Sequence, residues 1–192
     1  GLAAGNQETE ARKELKAARA KSPAALPDLC AEALLLLQAA KGDEAAKLCR
    51  KAIELDNAHA YPWNILGRIA LAGGNQEAAA EHFAKAIELK PEFQPAHLNL
   101  GVICLNKPDP AAAFGYFKEA LRLSPQDGRA FYGMAAALEA QSQTAEALAV
   151  LQKSLLLPRP YGPALEMLGR LQLNGGQHEE AAKTGARMLA EK

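Results

Sequence analysis

Trp63-Asn64-Ile65-Leu66-Gly67-Arg68-Ile69-Ala70, followed by Gly73-Gly74-Asn75 and then by Ala79, Phe83, Ala86 and Pro91, is the stretch that decides how this chain folds. Trp63, Leu66, Gly67 and Ala70 recur at i, i+3, i+4 and i+7, which puts them on one face of a helix. Gly73-Gly74 stops that helix, because glycine accepts the positive φ of a helix end. Asn75 is placed to cap the next helix through its side-chain oxygen. Ala79, Phe83 and Ala86 mark the packed face of this second helix, and Pro91 ends the unit because proline cannot continue a helix.

The same pattern returns at a fixed distance. Shifted by 34 residues, Leu66-Gly67 falls on Leu100-Gly101, Met134-Ala135 and Leu168-Gly169. Ala45, Ala79, Ala113, Ala147 and Ala181 fall on one another, as do Phe83 and Phe117, and Pro91 and Pro125. The register holds without insertions. It divides the chain, read as a single domain over 1–192, into units 26–59, 60–93, 94–127, 128–161 and 162–192, with residues 1–25 as the second helix of a partial unit. In the third unit Lys107-Pro108-Asp109-Pro110 is the turn, with Asp109 as cap and Pro110 at the first helical position, where its missing N–H costs nothing.

Composition agrees with helix. Of 192 residues 49% are hydrophobic and only 5% aromatic, and the abundant Ala, Leu, Glu, Lys and Gln lose little rotamer freedom in a helix. Lys plus Arg and Asp plus Glu both total 22. A chain without a basic surplus has no general means of displacing counterions from phosphates, so nucleic acid is not an expected partner. No apolar run approaches the 18 or so residues of a membrane span, so direct membrane insertion is not expected either. The expectation for packing is that Gly67 and Gly101 face Ala79 and Ala113 across each helix pair. Trp63, Phe83 and Phe117 then fill the gaps between units, and stability comes from stacking.

Trp63, Leu66, Gly67, Ala79, Phe83 and Pro91 at these spacings resemble the tetratricopeptide signature W-x2-L-G-x2-Y…A-x3-F…P, with Ala70 in place of tyrosine. The resemblance covers essentially the whole chain. It implies an all-α fold, a right-handed superhelical array of antiparallel helix pairs of the α-solenoid class. It also implies a non-enzymatic scaffold or adaptor that binds a protein or peptide partner in a concave groove.

In that family the groove is lined by a second stripe of each first helix, at positions two, five, six, nine, twelve and thirteen. Here the resemblance assigns it Tyr61, Asn64 and Arg68 in one unit and Leu98, Asn99, Val102 and Asn106 in the next. Arg129 and Tyr132, then Glu166 and Arg170, follow in the last two units. Asn64 and Asn99 would hold a partner's backbone, and Arg68 and Arg129 an acidic group. Leu34, Leu37, Leu98, Val102 and Leu105 carry two readings, packing on neighbouring helices or seating a partner's apolar side chains. The family's dicarboxylate clamp finds only Asn99 in identity and Arg129 in charge, so its ligand is not expected.

Catalytic and metal constellations are lacking. His59, His82, His97 and His178 form no H-E-x-x-H and lie near no cysteine at zinc spacing, so no metal or cofactor is expected. His97 takes the slot of Trp63 and is read as a packing residue, His82 as solvated, His178 as a turn residue. Cys49 and Cys104 sit in packed slots, and Cys30 on the stripe is expected to be accessible. Three unpaired thiols favour a reducing compartment such as the cytoplasm, with a periplasmic or anchored chain as the alternative if its start lies upstream. Gly185 stands where Phe83 and Phe117 stand in their units, so the last helix should pack weakly. That weakness and the half unit at the start also suggest self-association through terminal helices.

Overall fold

The structure, a computed structural model, describes residues 25–190. Apart from Ala25, the half unit expected over 1–25 lies outside them. The described residues hold ten helices and no strand. They are α1 (Leu26–Gln38), α2 (Gly42–Leu55), α3 (Ala60–Ala72), α4 (Gln76–Leu89) and α5 (Gln94–Asn106). There follow α6 (Pro110–Leu123), α7 (Gly128–Ala140), α8 (Thr144–Ser154), α9 (Gly162–Asn174) and α10 (His178–Ala190). Each 34-residue unit is one helical hairpin. The chain forms two compact units, one up to Pro91 and one from Glu92.

The helix starts follow the residues that prepare them. Asn75 Oδ1 accepts the Ala78 N–H at 3.0 Å, and Asp109 Oδ1 accepts the Ala112 N–H at 3.0 Å. Each hairpin turn is closed by the same bond, from the N–H of Lys41, Asn75, Asp109, Gln143 and Gln177 to a carbonyl five residues back, at 2.8 to 2.9 Å. In four of these turns one residue takes positive φ: Gly74 (79°) and Gly176 (73°), but also Ala40 (59°) and Ser142 (62°). A side chain in that region costs roughly 1–2 kcal/mol that glycine avoids. Pro108 occupies the same place in the remaining turn.

In the first unit α1 pairs with α2 and α3 with α4, α2 packs on α3, and α1 lies beside α3. In the second unit α5, α7 and α9 lie side by side, each pairing with the helix that follows it. The cores are made of alanine with a few large side chains. Phe83, Phe117 and Leu151 are sealed from solvent.

The atoms nearest to where Gly67 and Gly101 would carry a Cβ belong to aromatic rings. A Cβ on Gly67 would meet the Phe83 ring at 2.5 to 2.8 Å, and one on Gly101 the Phe117 ring at 2.7 to 2.9 Å. Gly133, on the next first helix, would strike the same Phe117 ring. The aromatic ring takes the space that the missing Cβ leaves, and Phe117 reaches both its own hairpin and the next. The repeat slots therefore trade volume. Gly67 goes with Phe83 and Gly101 with Phe117, while Ala33 goes with Cys49 in one core and Ala135 with Leu151 in another.

The last hairpin pairs Gly169 with Gly185. A Cβ on Gly169 would meet only the Thr184 methyl at 3.9 Å, and one on Gly185 would meet nothing within 4 Å. A buried hydrogen bond from Thr184 Oγ1 to Gln172 Oε1, 2.8 Å long, ties these helices instead.

Several histidine and cysteine readings change. His82 is half-buried rather than solvated, its ring 5.8 Å from that of Trp63, and burial lowers its pKa. His97 is buried as expected, 6.2 Å from the Tyr116 ring. His178 is the first residue of α10 rather than a turn residue. Cys30 is not accessible: it is 4% exposed, and burial pushes its thiol up to about 11. Cys49 is sealed and pushed up to about 12, mainly by burial. Cys104 is only half-buried.

Candidate functional site

The exposed part of the first-helix stripe is narrower than its register suggests. In the first unit Tyr61 and Arg68 are exposed on α3, whereas Asn64 is buried. Arg68 has no ion pair among the described residues. In the second unit Val102 and Asn106 are exposed on α5, Asn99 is half-buried, and Leu98 is buried. Asn64 and Leu98 therefore stand in the packing rather than on the surface. Leu34, Leu37 and Leu105 likewise pack against core clusters, so of the five aliphatic residues with two readings only Val102 faces solvent. A helix that pairs with its own hairpin and with adjacent first helices has only a thin sector left for water.

The first unit has a pocket of about 280 Å³ where α1 meets the start of α3, walled by Leu26, Cys30, Leu34, His59 and Tyr61.

The second unit holds the denser group of candidate side chains. On α7, Asp127 stands just before the helix and accepts the Arg129 N–H at 3.0 Å, a cap of the ordinary kind. The same carboxylate accepts Arg129 Nε at 3.0 Å and Nη2 at 2.7 Å, and Gln94 Nε2 from α5 at 2.7 Å. Burial pushes the Asp127 carboxyl up, but these donors outweigh it and hold it below its usual range. Arg129 is thus fixed by a two-point bond, the strongest form of side-chain ion pair.

A second two-point pair crosses from α9 to α7. Arg170 Nη1 and Nη2 donate to the two Glu139 oxygens at 2.8 and 2.7 Å. Those bonds draw the Glu139 carboxyl below its usual range. Between the two arginines stand Tyr132 and Tyr161, 37% and 36% exposed, their rings edge-on at 6.0 Å. Leu173 extends the apolar surface along α9 and Val102 that on α5, and Glu166 is exposed on α9. Beside Arg129 a hollow of about 420 Å³ is lined by Ser124, Gln126, Asp127, Arg159 and Tyr161, among others. Arg159 has no ion pair among the described residues.

Among the described residues no group of His, Cys, Asp or Glu is placed to bind a metal ion. Among the described residues, too, no helix is long and apolar enough to cross a membrane.

The sequence profile described as tetratricopeptide repeat matches residues 30–92, 87–128 and 116–163. The chain belongs to the tetratricopeptide repeat family. Its fold class is all-α, of the repeat-solenoid type, and members of the family are in general protein-interaction modules without catalysis. Among solved structures it is similar to Pseudomonas aeruginosa PilF, at 20% identity and a TM-score of 0.81, covering 88% of this chain and 77% of that one. MamA of Desulfovibrio magneticus RS-1 matches at 18% identity and a TM-score of 0.70, over 86% of this chain and 94% of that one. YrrB, described as a tetratricopeptide protein with an unusual peptide-binding site, matches at 20% and 0.65, over 85% and 84%. No curated protein sequence matches the chain.

Within the repeat register Arg129, Tyr132 and Arg170 are stripe residues, and the structure brings them together with Glu139. Asp127 and Tyr161 were not singled out as site residues by sequence. Both occupy the last place of their units, where a helix-capping role is the ordinary reading. The usable signal was a tyrosine in that cap place, since tyrosine is no helix cap.

Proposed function

We propose that this repeat protein holds a peptide or protein partner on the exposed sector of its first helices, with the face of α7 and α9 as the principal contact. The observation that carries the reading is the Tyr132–Tyr161 pair standing exposed between Arg129 and Arg170, each arginine locked to a carboxylate. Aromatic side chains and arginines are the residues that most often dominate binding energy at protein interfaces. Locking the arginines in advance lowers the conformational entropy lost on binding. Arg129 and Arg170 are already balanced by Asp127 and Glu139, so they offer directed N–H groups rather than bare charge. An acidic group of the partner would find its net positive charge at Arg159. Asn99, Val102, Asn106 and Glu166 are the flanking contacts in this reading; on the first unit, taken by itself, Tyr61 and Arg68 are the exposed stripe residues.

The test is affinity capture from extract of the source cells with the wild-type chain and with Tyr132→Ala plus Arg170→Ala. The expected result is loss of specific partners from the double variant, with the thermal midpoint within a few degrees of wild type. Capture that persists unchanged in a folded double variant overturns the reading.

A further inference from the structure

The connection between α8 and α9 is built unlike its equivalents. α2, α4 and α6 run to Leu55, Leu89 and Leu123, whose place in the register is Leu157, but α8 stops at Ser154. Ser154 stands where Ala52, Ala86 and Ala120 stand, and its hydroxyl donates to the Leu151 carbonyl at 2.6 Å. Such a bond weakens a helix from within. Pro158 and Pro160 then disfavour helical geometry at Leu157 and Arg159, the residues before them. Leu157 is buried and anchors the segment. Arg159 takes the slot of Pro91 and Pro125, between two prolines of fixed φ.

Gly128 lets this connection come close. A Cβ there would lie 2.6 Å from the Tyr161 Cβ and 3.2 Å from its backbone nitrogen. The connections before α7 and before α9 lie side by side, and both line the hollow of about 420 Å³. Two guanidiniums and one carboxylate stand in that lining, a net charge of +1. Arg129 spends Nε and Nη2 on Asp127 and keeps Nη1 without a bond among the described residues. Arg159 adds an exposed guanidinium, and Ser124 and Tyr161 add hydroxyls. One carboxylate balances this charge. A phosphate, at about −1.5 to −2, exceeds it and is set against Asp127.

Arg159 is also the one charged residue of 155–161, and it stands between two exposed large side chains, Leu156 at 85% and Tyr161 at 36%. A complementary segment has its acid between apolar residues. That places the carboxylate on a side chain within the partner rather than at its end.

We propose that the hollow holds an internal glutamate or aspartate side chain of a partner polypeptide, whose apolar neighbours lie on Tyr161 and Leu156. The inference rests on the α7–α9 contact reading and names the chemistry of its partner.

Four peptides test it by amide chemical shifts in a 15N-labelled chain. They are N-acetyl-Leu-Glu-Leu-amide, its glutamine and phosphoserine counterparts, and N-acetyl-Leu-Leu with a free terminal carboxylate. The glutamate peptide should give saturable shifts at Gln126, Arg129 and Arg159. The glutamine and terminal-carboxylate peptides should bind at least fivefold more weakly, and the phosphoserine peptide no more tightly. Arg159→Gln should weaken the glutamate peptide at least fivefold and leave the thermal midpoint in place, since Arg159 is exposed and unpaired among the described residues. No saturable shift at these amides overturns the proposal. So does equal binding of the glutamine peptide, tighter binding of the phosphoserine or terminal-carboxylate peptide, or unchanged affinity in Arg159→Gln. In the capture experiment, partners lost from the Tyr132→Ala plus Arg170→Ala variant but fully kept by Arg159→Gln overturn this inference and leave the contact reading standing. Capture unchanged in the double variant overturns the contact reading, and this inference with it.

Discussion

The hairpin α5/α6 and the hairpin α9/α10 occupy equivalent places in the repeat, yet they are held together by different means. In the first, Gly101 makes room for the Phe117 ring, which also lies on Gly133 of the following repeat. In the second, Gly169 and Gly185 leave open space, and Thr184 with Gln172 makes a buried hydrogen bond. A repeat position is therefore not a residue type but half of a volume, and its partner on the other helix supplies the rest. Interiors pack at nearly crystal density, so the sum matters more than either member.

Three measurements would break or sharpen this contrast. The largest effect is expected from Phe117→Ala, which empties the dense hairpin and the contact with the next one. By analogy with other buried aromatic truncations it should cost about 3–5 kcal/mol in chemical denaturation. A loss well under 1 kcal/mol would deny that the ring joins the two repeats.

Next comes one methyl group added in each hairpin. Gly101→Ala drives a Cβ into the Phe117 ring and should cost roughly 1–3 kcal/mol by overpacking. Gly185→Ala meets nothing and lies inside a helix, where alanine exceeds glycine by about 0.8–1.0 kcal/mol. It should raise the thermal midpoint. Effects of the same sign in both would erase the distinction.

The smallest effect is electrostatic. Glu139→Gln removes the partner of Arg170, whose side chain is 52% exposed against 33% for Glu139. An exposed pair contributes about 0.2–1 kcal/mol. Because Arg170 holds the Glu139 carboxyl below its usual range, this contribution is fully present above the unfolded pKa of about 4.3. It is lost as pH falls through the depressed value, so thermal midpoints of variant and wild type should converge on acidification below about pH 4 and separate above it.

The repeat register was legible because a stacked hairpin must present the same packed face each time, and that writes a 34-residue period into Leu66, Gly67, Ala79 and Phe83. What the period cannot write is the offset across a hairpin. Gly67 returns as Gly101 and Gly169 but as Ala135 in between, and what lies nearest to it is the Phe83 ring, because closeness between helices depends on side-chain reach. The proposed contact face was half legible. Tyr132, Arg129 and Arg170 follow from helical spacing. Asn64, Leu98 and Cys30 share that spacing but are buried, since a neighbouring helix narrows the exposed sector by an amount no single helix encodes. Asp127 and Tyr161 escaped notice because they lie in connections, where the helical period gives no direction.

The five turn-closing amides of Lys41, Asn75, Asp109, Gln143 and Gln177 have a further use. Each seals an equivalent ring, at 2.8 to 2.9 Å, in a different hairpin. In a repeat protein, neighbouring units can open with different free energies. These amides therefore form a set of internal clocks: matched in chemistry, spaced 34 residues apart, and each timing the opening of one hairpin by the rate at which its hydrogen is replaced by deuterium.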